Sequence, residues 1–442
     1  MTDSTPGDGR DGRPVVVVGL GYVGLPLAAS LAAAGVDVVG VETNPATRRT
    51  VAAGESPFYE PGLAELLQGL PKGRLTVSAT LPDRPPHAVV ICVGTPMSAE
   101  TGHPALGHLE AAAEAVAEAM ADDTLVVVRS TVPVGTCRET VLPRLRKHIA
   151  EPLLAFCPER LIQGKALAEL VALPQIVGGL DDRSRDRARE LHALITPKHV
   201  PVSSLETAEM IKLVCNAHTD LLYGFGNEIS MMAAGFGLDA DEVIASANRD
   251  YPRPDLARPG FVGGSCLTKD PYLLTYGTRA HGYEAPMVTA ARRVNESVPA
   301  FAVERFVRAY EAGTDRPLSQ AKILVCGIAY KGRPETDDVR GAASPDVAKA
   351  LKGRVATLAA HDFLVPPETV EALGFEPAAL ADGLRDADGI IVLNDHPGYA
   401  AVTAEAVRSR MRAPRVVFDM WGALEGALAH HPDISYLRLG RV

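Results

Sequence analysis

The sequence predicts an α/β protein with two doubly wound, mostly parallel sheets joined through a long helical segment. Three observations predict it. Short β-branched runs alternate with helical stretches up to about residue 204, and again after residue 322. A glycine-rich turn stands directly between the first strand-like run and the first helical stretch. Between the two alternating regions lies a stretch with few helix breakers, 205–248. The expected domains are 14–204, 205–312, the second of these mainly helical, and 318–442.

Size and charge narrow the function. A chain of 442 residues suits two or three domains, and 47% hydrophobic with 22% charged residues is an ordinary globular balance. A net charge of -10 without a basic stripe argues against nucleic acid as a partner. Any anionic ligand must then be met locally, by backbone N–H groups and a few Lys and Arg. No apolar run reaches membrane-spanning length, and no basic-then-apolar leader opens the chain, so no membrane association is expected. The six cysteines are scattered, with no CxxC pair and no zinc spacing, which predicts free thiols, a cytoplasmic setting and no metal site. Residues 1–13, rich in Gly, Asp and Arg, read as a disordered tail.

Taken in order, Val15 to Val18 reads as a buried parallel strand, 25–34 as a helix ended by Gly35, and 36–41 as a second strand closing on Glu42. Between the first two lies Gly19-Leu-Gly21-Tyr22-Val23-Gly24. This GxGxxG sits in its required setting of strand, turn and helix. The glycines let a pyrophosphate reach the helix N-terminus, and an acid about 20 residues on can bind the ribose hydroxyls. Glu42 is that acid and favours NAD; Arg48 and Arg49 leave room for a 2′-phosphate. Further strands are expected at 88–93 and 125–128, ending in Gly94-Thr95-Pro96 and Arg129-Ser130-Thr131. Thr95, Ser130 and Thr131 are either cofactor contacts at strand ends or ordinary capping hydroxyls. Glu159, in Cys157-Pro-Glu-Arg160, is either a solvated loop charge or a general base.

In the helical region, Lys212 and Asn216 share a face. A lysine there either snorkels to water or stabilises an oxyanion. Gly260, Gly263 and Gly264 crowd before Cys266, with Asp270 four residues on. Either Cys266 is a nucleophile held exposed beside a helix start, or it is a small buried residue in a tight turn. A helix over 285–312 leads to a linker at 313–317, and strands follow from Lys322 and at 355–359, 390–393 and 416–418. His361, Asp362, Asn394, Asp395, His396 and Asp419 fall at their ends, without a second full GxGxxG.

These pieces together resemble the UDP-glucose/GDP-mannose dehydrogenase family over nearly the whole chain. The matching stretches are Gly19 to Pro26, Glu60-Pro-Gly62, Val93 to Pro96, Ser130 to Thr136, Pro158-Glu159, Lys212 with Asn216, Asn227-Glu228, Gly263-Gly-Ser-Cys266 with Asp270, and Tyr330-Lys331 with Asp337 to Arg340. The resemblance implies a four-electron oxidation of a sugar C6 alcohol to a carboxylate, with NAD as cofactor and a UDP-sugar as substrate. It implies Rossmann domains at both ends for NAD and for the nucleotide sugar, a homodimer or higher oligomer through the central helix, and a place in polysaccharide biosynthesis. Cys266 would form a thiohemiacetal and then a thioester. Lys212 and Asn216 would meet the oxyanion. Asp270, with Thr131 through a water, would take the first proton, and Glu159 would assist hydrolysis. Glu159, Arg160, Lys212, Asn216, Gly263, Lys331, Arg340, and more weakly Arg253 and Arg258, would hold the substrate. Pro158-Glu-Arg160 and 176–179 look like the branch acting on UDP-N-acetylhexosamines such as UDP-N-acetylmannosamine, whereas Gly-Gly-Ser-Cys266 is closer to the UDP-glucose form. Trp421 and Gly422 stand where the family commonly has an arginine in the turn. The rival readings are a two-electron hydroxyacid dehydrogenase, which needs no cysteine, and a silent nucleotide-sugar binding protein.

Overall fold

The computed structural model describes residues 12–98, 100–253 and 255–441; most of the tail expected at 1–13 lies outside the described residues. The chain forms two compact units, Met1–Cys215 with Leu273–Tyr283, and Asn216–Tyr272 with Glu284–Val442.

The first unit is built on eight strands: β1 (Val15–Val18), β2 (Val38–Val41), β3 (Leu75–Ser78), β4 (Ala88–Ile91), β5 (Leu125–Val128), β6 (Leu153–Phe156), β7 (Gln175–Gly179) and β8 (His199–Val202). Their spatial order is β3-β2-β1-β4-β5-β6-β7-β8. Val15 to Val17 and all of β4 and β5 are buried, as central strands covered on both faces must be. The expected second strand is shorter by two residues. Gly35, at φ +87°, and the bond from the Val36 N–H to the Leu31 carbonyl hold 35–37 in the turn that ends the helix Gly24–Ala33. One pairing breaks the parallel rule: β7 runs antiparallel to β6, with Gly179 opposite Ala155. A Cβ on Gly178 would fall 2.5 Å from the Ser204 carbonyl oxygen, so the paired glycines admit the neighbouring chain.

The second unit carries most of the long helix Leu205–Phe236, then the helices Ala240–Asn248 and Pro286–Gly313. Its sheet has six strands: β9 (Lys322–Cys326), β10 (Thr357–His361), β11 (Glu376–Pro377), β12 (Gly389–Val392), β13 (Val416–Asp419) and β14 (Ser435–Arg438). They lie in the order β11-β10-β9-β12-β13-β14, all parallel. The strand expected at 355–359 begins two residues later. After β10, Asp362 accepts hydrogen bonds from the N–H groups of Ile328, Ala329, Leu364 and Val365. Where the first unit passes from β1 almost directly into a helix, here residues 327–343 form a long loop before the helix Ser344–Leu351.

Candidate functional site

The glycine turn after β1 fits a dinucleotide. Gly19 has φ +92°, and a Cβ there would lie 2.9 Å from the Cys92 carbonyl oxygen. A Cβ on Gly24 would fall 1.8 Å from the Gly19 carbonyl oxygen, so only glycine lets the helix close onto the turn. A Cβ on Gly21 would meet nothing within 4 Å, so this glycine borders open space, where a pyrophosphate can approach the helix N–H groups. Val23 precedes the helix, and the Tyr22 ring stacks on Phe58 at 4.1 Å. Glu42 accepts from the Leu20 N–H (3.0 Å) with one carboxylate oxygen and from the Asn44 N–H (2.8 Å) with the other. This aims the acid across the turn. Arg48 donates to the carbonyls of Glu42 (2.7 Å) and Thr43 (2.8 Å) and so braces the strand end.

At the ends of β4 and β5, the Thr95 hydroxyl donates to the Thr131 carbonyl, and Ser130 donates to the Val93 carbonyl at 2.7 Å. These bonds tie two strand-end loops together and leave Thr131 half-buried. Glu159 is no solvated loop charge. It is buried and paired with the buried Arg129, and its other oxygen accepts from the N–H groups of Arg160 (2.6 Å) and Leu161 (2.9 Å). Arg129 also donates to the Cys157 carbonyl and to Gln175, and meets His192 at 3.3 Å. Burial and the neighbouring guanidinium push the His192 imidazole down to about 3. The Arg160 side chain donates to the Pro174 carbonyl.

Lys212 is buried, which removes the snorkelling alternative. One turn before it on the same helix, the buried Glu209 accepts from the N–H groups of Gly135 (2.6 Å) and Cys137 (2.8 Å). Its carboxylate thereby holds the loop that carries Ser130 and Thr131. Burial pushes this carboxyl up to about 7, against the pull of those amides. Glu60, from the family stretch, is likewise a tether: it accepts from the Gly164 and Ala166 N–H groups.

In the second unit Cys266 is exposed, in a turn whose carbonyl accepts from the N–H groups of Lys269 and Asp270. The helix Asp270–Ala280 starts there. Asp270 is buried and accepts from the Asn216 side-chain amide. The glycines fit this loop to another. The Gly264 N–H donates to the Gly341 carbonyl, and Cβ atoms on Gly263 and Gly264 would fall 3.1 and 2.8 Å from the Tyr330 side chain. The loop of Cys266 therefore packs on the loop of Tyr330, Lys331 and Arg340. Lys331 Nζ lies 5.3 Å from the Tyr330 ring centroid, and the exposed Arg340 pairs with the buried Asp338 through two bonds of 2.8 Å. Arg253 and Arg258 are exposed; Arg253 stands over the Tyr251 ring, and Arg258 lies 3.7 Å from Asp241.

The unusual turn at Trp421 and Gly422 has a packing explanation. Gly422, at φ +72°, lies against the guanidinium of Arg438, where a Cβ would be 2.7 Å from Nε. Arg438 is itself buried between Asp241 and Glu425. The Trp421 ring covers Gly260, and its indole N–H donates to the Leu393 carbonyl.

Models of the UDP-glucose/GDP-mannose dehydrogenase family match three stretches: its NAD binding domain at residues 13–196, its central domain at 206–297 and its UDP binding domain at 324–426. The chain belongs to this family. It is an NAD-dependent oxidoreductase, with NAD as cofactor. Its relatives include the UDP-N-acetyl-D-mannosamine dehydrogenase of Pyrococcus horikoshii, 32% identical over 92% of this chain and 94% of that protein. That of Escherichia coli K12 is 29% identical over 90% and 96%. The structure of the Pyrococcus horikoshii UDP-D-ManNAc dehydrogenase superposes with a TM-score of 0.87, at 30% identity, covering 97% of this chain and 99% of that one. A UDP-glucose dehydrogenase from Pyrobaculum islandicum gives 0.84 at 28% identity, covering 99% and 100%. Among the described residues no helix is long and apolar enough to cross a membrane, and no group of three His, Cys, Asp or Glu is placed to hold a metal.

Sequence reasoning assigned no role to Arg129 or Glu209. A charged residue in a helix or at a strand end reads as surface, and only the tertiary fold turns it inward.

Proposed function

We propose that the chain oxidises the C6 hydroxyl of a UDP-sugar to a carboxylate through a covalent intermediate on Cys266, and that the sugar is an N-acetylhexosamine, UDP-N-acetylmannosamine foremost. The observation that carries the reading is the exposed Cys266 in a turn fixed by glycine contacts to the Tyr330–Lys331 loop, directly ahead of the Asp270 that Asn216 holds. The names of the relatives support the sugar.

NAD, when bound at the Gly19–Gly24 turn beside Glu42, accepts hydride. Asp270, assisted by Thr131, takes the hydroxyl proton in the first oxidation. Cys266 Sγ then bonds to the aldehyde carbon, and Lys212 and Asn216 stabilise the resulting oxyanion. Loss of a second hydride from that carbon, to a second NAD, would turn the thiohemiacetal into a thioester. Water adds, the C–S bond breaks, the thiolate returns and the carboxylate leaves. Glu159 serves this step as base by giving up one of the donors that hold it. Lys331 and Arg340 grip the diphosphate, joined by Arg253 and Arg258, while Glu159, Arg160 and Gly263 line the sugar. The exposed Leu222, Phe225, Met232 and Phe236 support homodimer formation through the long helix. Free cysteines and the membrane-helix finding agree with a cytoplasmic enzyme of polysaccharide-precursor synthesis.

UDP-glucose is the second reading, favoured by Gly-Gly-Ser-Cys266 and the superposition on a UDP-glucose dehydrogenase. NADH appearance with UDP-glucose, UDP-N-acetylglucosamine, UDP-N-acetylmannosamine and GDP-mannose decides between them. Two NADH per sugar and loss of acid formation in Cys266→Ala are expected. One NADH without thiol dependence overturns the reading in favour of hydroxyacid-type chemistry, and no turnover on any sugar favours a silent binding protein.

A further inference from the structure

A continuous buried hydrogen-bond chain runs behind the Cys266 loop. At one end, the Asn227 side chain grips both backbone groups of Gly260, accepting from its N–H (2.8 Å) and donating to its carbonyl (2.9 Å). The Asn227 amide also donates to Asn295 (2.8 Å), and Asn295 donates to the carboxylate of Asp220 (2.8 Å). Asp220 pairs with Arg292 at 2.6 Å, both side chains being 1% exposed. Arg292 closes the circuit, donating to the carbonyls of Leu267 (3.0 Å) and Val262 (3.5 Å). The loop is therefore held before and after Cys266 by one network rooted in two long helices.

This arrangement costs desolvation of a full ion pair and two amides, which a mere surface turn does not require. A cysteine loop with three glycines is intrinsically loose, and a nucleophile must be held within a fraction of an ångström of its productive position. We infer that Asn227 and Arg292 are positioning residues for Cys266: they set the thiol's place through the backbone at Gly260, Val262 and Leu267 without touching substrate. The inference rests on the proposed role of Cys266 as nucleophile.

Two variants test it. Asn227→Asp keeps the acceptor for the Gly260 N–H but loses the donor to its carbonyl and to Asn295. Arg292→Lys keeps the charge, but one ammonium cannot reach Asp220 and both loop carbonyls. The expected result is a fall in kcat of about ten-fold or more, with KM for NAD within about two-fold of wild type. Iodoacetamide alkylation of Cys266, read by peptide mass against the exposed Cys215 in the same protein, should shift about five-fold or more. Folded variants with both readouts within about two-fold of wild type overturn the inference. Should neither variant fold, hydrogen exchange in the wild type decides. The Gly260 amide should exchange as slowly as the core strands, and exchange at the rate of an open loop overturns the inference. These outcomes are separable from failure of the nucleophile role, which would appear as acid formation by Cys266→Ala.

Discussion

The ring of Tyr330 lies so close to Gly264 that a methyl group on that glycine would sit 2.8 Å from its Cε2 atom. Gly264 also has φ +89°, a region in which a side chain is strained whatever the space. Gly264→Ala should therefore cost about 1–3 kcal/mol in urea unfolding. Activity should fall further than stability explains, because the contact couples the Cys266 turn to the Lys331 loop. Steady-state kinetics on the folded fraction measures that surplus.

Glu209 makes stability depend on pH in an unusual direction. Its folded pKa, about 7, lies above the ordinary 4.5, so the folded state binds the proton more tightly. The stability this contributes is fully present below about pH 4.5 and is lost as pH rises through about 7. Glu209→Gln should flatten this part of the profile, removing a fall of about 1–3 kcal/mol. Urea midpoints at intervals across the range, wild type against variant, give the answer. A parallel slope in both proteins would assign the dependence to other groups.

His192 acts with the opposite sign. Its pKa is lowered from 6.5 to about 3, so the unfolded chain binds the proton first. The neutral ring's contribution is present above about pH 6.5 and is lost as pH falls toward 3. His192→Gln, which can still accept from Arg129, should be less acid-sensitive than wild type in thermal melts at pH values on either side of that window.

On the long helix, Phe225 and Phe236 are 51% and 81% exposed. Phe225→Glu combined with Phe236→Glu should yield a monomer by sedimentation velocity, while the far-UV spectrum stays that of the wild type. A wild type that is already monomeric would remove the proposed interface.

Much of this was legible in residue order. The turn 19–24 could be read because valines, glycines and alanines each restrict the backbone in ways that add along the chain. The long helices could be read because breakers are scarce in them. The loop of Cys266 was visible only as an anomaly of glycine spacing, since what those glycines face, Tyr330 and Gly341, lies far along the chain. Arg292 and Arg293 are adjacent and chemically identical, yet one is 1% exposed and its neighbour faces solvent. Nothing local distinguishes them; the choice is made by Asp220 on another helix. The two-residue β11 and the antiparallel β7 escaped for the same reason.

Asp362 occupies the place in the second sheet that Glu42 occupies in the first, at the end of the strand beside the one that opens each sheet. All four of its amide partners belong to its own unit, and a long loop stands where a phosphate-receiving helix would begin. Among the described residues, the strand-turn-helix arrangement at 15–33 is therefore not repeated after β9 in the second sheet. Under the proposed four-electron reaction, removing two hydrides from one sugar would require the spent carrier to depart and a fresh one to dock midway. The proposed bond to Cys266 would keep the half-converted molecule aboard during that exchange.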